Sequence, residues 1–164
     1  MKALRILGYI LGCIWSLPML PVALLLMAYY KPRRVRWHKG CLEFIASYRH
    51  DKRGNILVDR EGHKVTRIFG NPGGQCVGVP VIAYAHETCW DNPRLRRHER
   101  VHAIQGMILG ILFGPLYGGH WLLIRVFDCP DEPADAPAWK RAYFAIWAEK
   151  QARAHENDPN GWGS

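Results

Sequence analysis

Apolar residues dominate the chain over residues 3–30, where Arg5 is the only charged side chain. The run exceeds the roughly 20 apolar residues that a helix needs to cross a bilayer, and it predicts a membrane-embedded helical segment over residues 1–30. Ser16, Pro18 and Pro21 interrupt its middle. Proline removes a backbone donor, so the segment is expected either as one kinked span or as a re-entrant hairpin. The apolar stretch passes straight into basic residues without a small-x-small site, which favours retention over cleavage as a signal peptide.

Beyond residue 40 the pattern shortens. β-type runs at 55–58, 64–69 and 76–84 alternate with turn formers at 51–54, Glu61-Gly62 and 70–74, predicting a small antiparallel sheet. Pro80 makes the last run an edge strand, a place where an extended peptide docks by strand addition. A helix is expected from Asn92-Pro93, since Asn caps well and Pro is tolerated at the first helical position. Apolar stretches at 107–113 and 116–124 are broken by Gly114-Pro115 and Gly118-Gly119, giving two short helices or a hairpin, either buried, the default since neither piece alone spans a bilayer, or dipping into the membrane beside the anchor. After Pro137 a last helical stretch places Trp139, Ala142, Ile146 and Glu149 on one face. The fold class expected is therefore α+β: a membrane-embedded helical segment (1–30), a basic juxtamembrane linker (31–40), one domain of sheet, metal helix and C-terminal helices (41–154), and a disordered tail (155–164).

Charge sharpens the membrane reading. Lys and Arg number 22 against 14 acidic residues, a formal net charge of +8, which favours an anionic partner. Lys31, Arg33, Arg34, Arg36 and Lys39 follow directly on the apolar run, where cations meet lipid headgroups; the first four are the expected headgroup contacts. The same bias places residue 31 onward in the cytoplasm, beside a membrane expected to be a bacterial inner membrane. Nucleic acid is not expected as a partner, because the densest basic cluster abuts the anchor and no recognition motif is present. Five cysteines without any Cys-x-x-Cys indicate neither a disulfide framework nor a thiolate zinc site; a single bridge between Cys76 and Cys89 is left open.

Candidate chemistry lies on the helix after Asn92. His98 and His102 stand four apart, so both imidazoles project from one face, with Glu99 one step round. This is the His-Glu-x-x-His pattern of zinc peptidases. Neutral imidazoles hold Zn²⁺, the ion acidifies its water, and the carboxylate takes the proton as water attacks a carbonyl. A third ligand is needed, and Glu149 is the candidate, an acid on the apolar face of the last helix; Asp128, His155 and Glu156 are weaker choices. Tyr117 and His120 are possible oxyanion donors, and His86 a possible substrate contact or accessory ligand.

The order of these features resembles a group of uncharacterised bacterial membrane-associated proteins with a zincin-like motif. The resemblance rests on residues 98–105 (His-Glu-Arg-Val-His-Ala-Ile-Gln), on Gly114-Pro115-Leu116-Tyr117 and on a late Glu149-Lys150-Gln151-Ala152. In that group an Asn-Pro-Phe precedes the late glutamate; here Ile146-Trp147-Ala148 stands in its place. The resemblance implies fold and metal more than substrate. The expected function is a membrane-anchored zinc metallopeptidase acting on a peptide or protein. The alternative is a non-catalytic membrane protein that binds anionic lipid, with its histidines structural or metal-binding without turnover.

Overall fold

The computed structural model describes residues 2–68, 73–76, 80–127 and 137–158. It is an α+β fold in which a four-stranded sheet lies between apolar helices. Helix α1 (Lys2–Ser16) and helix α2 (Leu20–Tyr30) are joined by a 3-10 turn at Leu17–Met19, where Pro18 and Pro21 fall at the first turns of their elements. Their missing N–H groups have no intrahelical partner there anyway, so the prolines bend the segment without ending it.

Strand β1 (Arg34–His38) forms next, inside the stretch read from sequence as a linker. It turns tightly into β2 (Cys41–Ile45) through Lys39 and Gly40, both at positive φ (46° and 80°), the conformation that matches the twist of a two-residue hairpin. β1 and β2 are antiparallel, with Arg36 opposite Glu43. Strands β3 (Gly74–Cys76) and β4 (Val81–Tyr84) complete the sheet in the order β1-β2-β4-β3.

The sheet is mixed, not antiparallel as the alternating runs suggested. β3 runs back against β4, and this return leg lets β4 enter between β2 and β3, parallel to β2. β4 is consequently central and fully buried, and the edge strand beside the helices is β3. Pro80 precedes β4, where its carbonyl accepts from the Leu42 N–H at 2.7 Å, so no ladder donor is asked of it. The runs at 55–58 and 64–68 form no strands; they make isolated bridges, His50 with Ile56, Val58 with Lys64 and Tyr48 with Thr66, in an exposed excursion. Asp51 and Asp59 tie its turns through their carboxylates.

Pleating divides the core. Phe44, Ala46, Val81, Ala83 and Ala85 face α2 through Ala23 and Tyr30. Cys41, Ile45, Ile82 and Tyr84 face the other way, onto Trp90 of α3 (Glu87–Asp91) and Ala103 of α4 (Pro93–Leu109). Asn92 caps α4 as its sequence predicts, accepting from the N–H groups of Arg94 and Leu95 at 3.0 and 3.2 Å, a device worth about 1 kcal/mol.

Helix α5 (Phe113–Phe127) follows after a 3-10 turn at Gly110–Leu112. Gly110 sits at φ 57°, which glycine adopts without a Cβ penalty. The helix runs on through Gly114-Pro115 and Gly118-Gly119, where sequence placed the breaks, because Pro115 falls in its first turn. Two segments, Ile6–Tyr30 and Pro93–Phe127, are long and apolar enough to cross a membrane. The second is folded back on itself at Gly110, since Tyr117 of α5 returns to within 6.3 Å of the His102 ring.

The last helical stretch is also broken, into α6 (Ala138–Ala145) and α7 (Trp147–His155), at Ile146, whose ψ of 132° is extended. Ile146 is buried with Ala142, Ala145 and Ala148. The break turns α7 so that Ala148, Glu149 and Ala152 pack inward while Trp139 of α6 is exposed. His155, where the tail was expected to begin, lies within α7; residues 159–164 lie outside the described residues.

Candidate metal centre

Helix α4 lies across the sheet, and its middle is buried from His98 to Ala103 although the helix is rich in charge. Burying so many polar groups is costly unless each finds a partner. The partners sort into two clusters, one on each flank of the helix.

On the flank facing α7, His98 Nε2, His102 Nε2 and the Glu149 carboxylate form a triangle. Glu149 Oε2 lies 3.2 Å from His98, Glu149 Oε1 lies 3.1 Å from His102, and the two Nε2 atoms are 3.2 Å apart. These three donors form a possible metal-binding group, and all three residues are buried. Four ligands at 2.0–2.1 Å around a tetrahedral ion stand about 3.3 Å apart, a spacing close to those seen here, with the carboxylate meeting each imidazole through a different oxygen. Its chemistry points the same way. Two imidazole nitrogens that face each other across 3.2 Å repel unless a proton or a cation stands between them.

The ligand atoms are held from behind. His102 Nδ1 meets Gln105 Oε1 at 2.8 Å, which places a proton on Nδ1 and turns Nε2 towards Glu149 and His98. Gln105 is fixed in turn, donating to the Ala148 carbonyl at 3.2 Å and to Gln151 Oε1 at 2.9 Å. His98 Nδ1 faces Glu156 Oε2 at 3.5 Å, and Arg97 Nε donates to the Glu156 carbonyl at 2.7 Å. Tyr117 donates to Glu149 Oε1 at 2.6 Å. Burial alone would raise the Glu149 carboxyl, but the hydrogen bonds from His102, His98 and Tyr117 outweigh it and hold it well below the usual carboxylate range. Tyr143 of α6 also reaches this carboxylate; burial first, and then the Glu149 charge, push its hydroxyl up.

Glu99 lies on the face of α4 turned to the edge strand β3, within electrostatic reach of His102, His98 and Glu149. The Cys76 N–H donates to its carboxylate. Gly74 lies so close that a Cβ there would stand 2.9 Å from Glu99 Cγ and 3.0 Å from Oε1. This contact is a second reason for glycine at 74, and sequence gave no signal for it beyond a turn.

On the other flank Glu43 of β2 is fully buried and ion-paired with Arg36 Nε at 2.8 Å, Arg100 at 3.1 Å and Arg96 at 3.6 Å. Arg36 also lies 3.8 Å over the Trp90 ring. The sequence reading missed Glu43, whose position in an apolar run was the available signal. It also misplaced Arg36, which turns inward to this acid and not outward to lipid. Arg33 is likewise engaged, donating to the Ala46 carbonyl at 3.1 Å beneath the Tyr48 ring. Lys31 and Arg34 are exposed; Lys31 closes α2 in a left-handed conformation.

The remaining candidates fall elsewhere. His120 accepts from the Trp147 N–H at 3.3 Å, at the start of α7, and lines an apolar cleft with Leu116, Leu123 and Trp147. His86 is exposed against Thr88 and Cys89. Asp128 lies outside the described residues. Cys76 and Cys89 are not joined in a disulfide, so the bridge left open between them is not formed. No family model matches the chain, and no curated protein or solved structure matches it.

Proposed function

We propose that the chain is a membrane-associated zinc peptidase-like protein, in which His98, His102 and Glu149 hold Zn²⁺ and Glu99 acts as general base on a peptide or protein substrate. The observation that carries this reading is the buried grouping of two imidazole nitrogens and one carboxylate, with 3.1–3.2 Å between the facing atoms, Gln105 behind His102 and Tyr117 behind Glu149. Zinc bound there supplies Lewis-acid polarisation and acidifies water. The chain's own residues do the rest. Gln105 sets the His102 tautomer, Tyr117 orients Glu149, and Gly74 with the Cys76 N–H fixes the Glu99 carboxylate. The edge of β3 beside Glu99 is where an extended peptide would add as a strand. The basic residues after α2 favour a body on the cytoplasmic side of a bacterial inner membrane.

Elemental analysis of detergent-purified protein tests the metal, and a peptide-library cleavage assay tests the chemistry. The expected result is one zinc per chain, lost in His98→Ala and in Glu149→Ala, with Glu99→Gln retaining zinc and losing cleavage. Absence of zinc after reconstitution overturns the site. Zinc with wild-type cleavage in Glu99→Gln overturns the role of Glu99.

A further inference from the structure

The apolar N-terminal segment is tied to the body at both of its ends. Near its start, the Tyr9 hydroxyl donates to the carbonyl of Gly40, in the turn between β1 and β2. At its finish, the Tyr30 carbonyl accepts from the Ser47 N–H at 2.9 Å, just beyond the other end of β2. Between these points one stripe faces inward at helical spacing. Gly12 and Cys13 lie on Met107 of α4, Ser16, Ala23 and Tyr30 are buried, and Leu26 and Met27 pack against the sheet. The stripe continues through the 3-10 turn from α1 into α2. Residues 9–30 thus lie along the body, α1 against α4 and α2 against the sheet.

The tie points Gly40 and Ser47 are seven residues apart along an extended strand, about 23 Å, so the bent segment stays beside the body over a distance shorter than the roughly 30 Å of bilayer hydrocarbon. If this segment crossed a membrane, the strands tied to it would have to cross beside it. Arg34 and Lys39, exposed on β1 and its turn, would then stand in or beyond the hydrocarbon, where charged groups are excluded. The outward side of the same segment is apolar throughout, with Ile6, Leu7, Ile10, Leu11, Ile14 and Trp15 exposed on α1 and Leu24 and Leu25 on α2. The 3-10 turns at Leu17–Met19 and Gly110–Leu112 are in contact, and they join this side to the exposed Leu116, Leu122, Leu123 and Phe127 of α5.

Charge identifies what covers this face. Residues 1–42 and 100–127 contain no Asp or Glu, and the exposed Lys31, Lys39 and Arg125 border the apolar helices. An apolar platform bordered mainly by cations, with Glu87 paired to Arg33 at 3.7 Å, matches one anionic lipid leaflet. We infer that the protein is monotopic: α1, α2 and α5 are embedded in a single leaflet, no segment crosses, and both termini lie on the same side. This deepens the membrane part of the proposed function and is independent of its zinc site.

The test uses the full chain with one epitope tag at each terminus, in sealed membrane vesicles of known sidedness. Protease added outside is expected to remove both tags and to cut the exposed excursion at residues 51–63 in one vesicle orientation and to do neither in the other, and the protein is expected to stay with the membrane through an alkaline carbonate wash. Cleavage of the excursion and loss of the tags in opposite orientations would establish two crossings and overturn the inference. Tags protected in opposite orientations would establish a crossing segment and overturn the inference. Release by carbonate, or recovery in the soluble fraction, would overturn it equally. None of these outcomes alters zinc content, so failure here is distinguishable from failure of the metal site.

Discussion

The Tyr117 hydroxyl donates to Glu149 Oε1 at 2.6 Å, joining the helix that returns from the apolar face to the third donor of the metal triangle. This oxygen also faces His102 Nε2 at 3.1 Å. Tyr117 is therefore a positioning residue. Tyr117→Phe keeps the ring on His102 and Phe113 while removing the bond. Zinc affinity is expected to fall about 10-fold or more, the usual consequence of losing a partner behind a ligand, with little change in secondary structure. A competition titration against a chelator reads it; unchanged affinity would remove Tyr117 from the site.

Gln105 joins α4 to α7 as well as setting the His102 tautomer. Gln105→Leu leaves the Ala148 carbonyl without this donor and His102 Nδ1 without its acceptor. A loss of about 1–3 kcal/mol in stability is expected, together with weaker zinc binding. Denaturant unfolding with and without zinc separates the two, because the zinc-dependent part of the loss disappears in chelator.

Glu43→Gln tests the other flank of α4. The carboxylate is fully buried among Arg36, Arg96 and Arg100, so the variant leaves three guanidinium groups facing one another without a counter-charge. Breaking one partner of a buried ion pair costs about 3–5 kcal/mol. The midpoint of unfolding should move accordingly, and a shift worth under about 1 kcal/mol would mean that solvent already neutralises the cluster.

Gly74→Ala addresses Glu99 without touching a metal donor. The added methyl group meets Glu99 Cγ at 2.9 Å, so the carboxylate must shift. Zinc content should stay at the wild-type level while peptide cleavage falls by about 100-fold, the scale of a displacement near 1 Å at a reacting group. Equal cleavage by variant and wild type would show that the carboxylate has room to adjust.

The excursion after β2 carries a pH dependence of known sign. The Asp51 carboxyl is held below its ordinary value of 3.8 by the Asn55 N–H above all, and the Asp59 carboxyl likewise by the His63 N–H. A depressed folded value means that the turns are favoured above pH 3.8 and lose that support as the pH falls through the folded values. Carboxyl NMR titration should give both groups midpoints below 3.8, with turn amide protection lost alongside. Midpoints at or above 3.8 would contradict the turn geometry.

Much of the local structure was legible in the chain. Asn92-Pro93 specified the start of α4, because capping and the proline restriction act within a few residues. The four-residue spacing of His98 and His102 placed both imidazoles on one face for the same reason. Glu149 was conspicuous as an acid where helical spacing asks for an apolar side chain, and it is buried against the two histidines. The expected run of helix through Ile146 was wrong in conformation, yet the burial of Ile146 that motivated it is observed.

Sequence by itself determined the elements governed by short-range rules: the apolar N-terminal helices with their proline break, the capped helix with its histidine pair, and the charge asymmetry around the apolar segments. The tertiary structure decided what depends on partners distant along the chain. It made the sheet mixed by sending β3 back so that β4 enters beside β2, and it turned Arg36 inward because Glu43 stands opposite across the hairpin. It folded the second apolar segment back at Gly110, bringing Tyr117 to Glu149. It also laid the first apolar segment along the body, since Tyr9 and Tyr30 find their partners at opposite ends of one strand. Local propensity and spacing carry no information about such pairings; they are set by which buried polar group needs a partner and which apolar face needs cover.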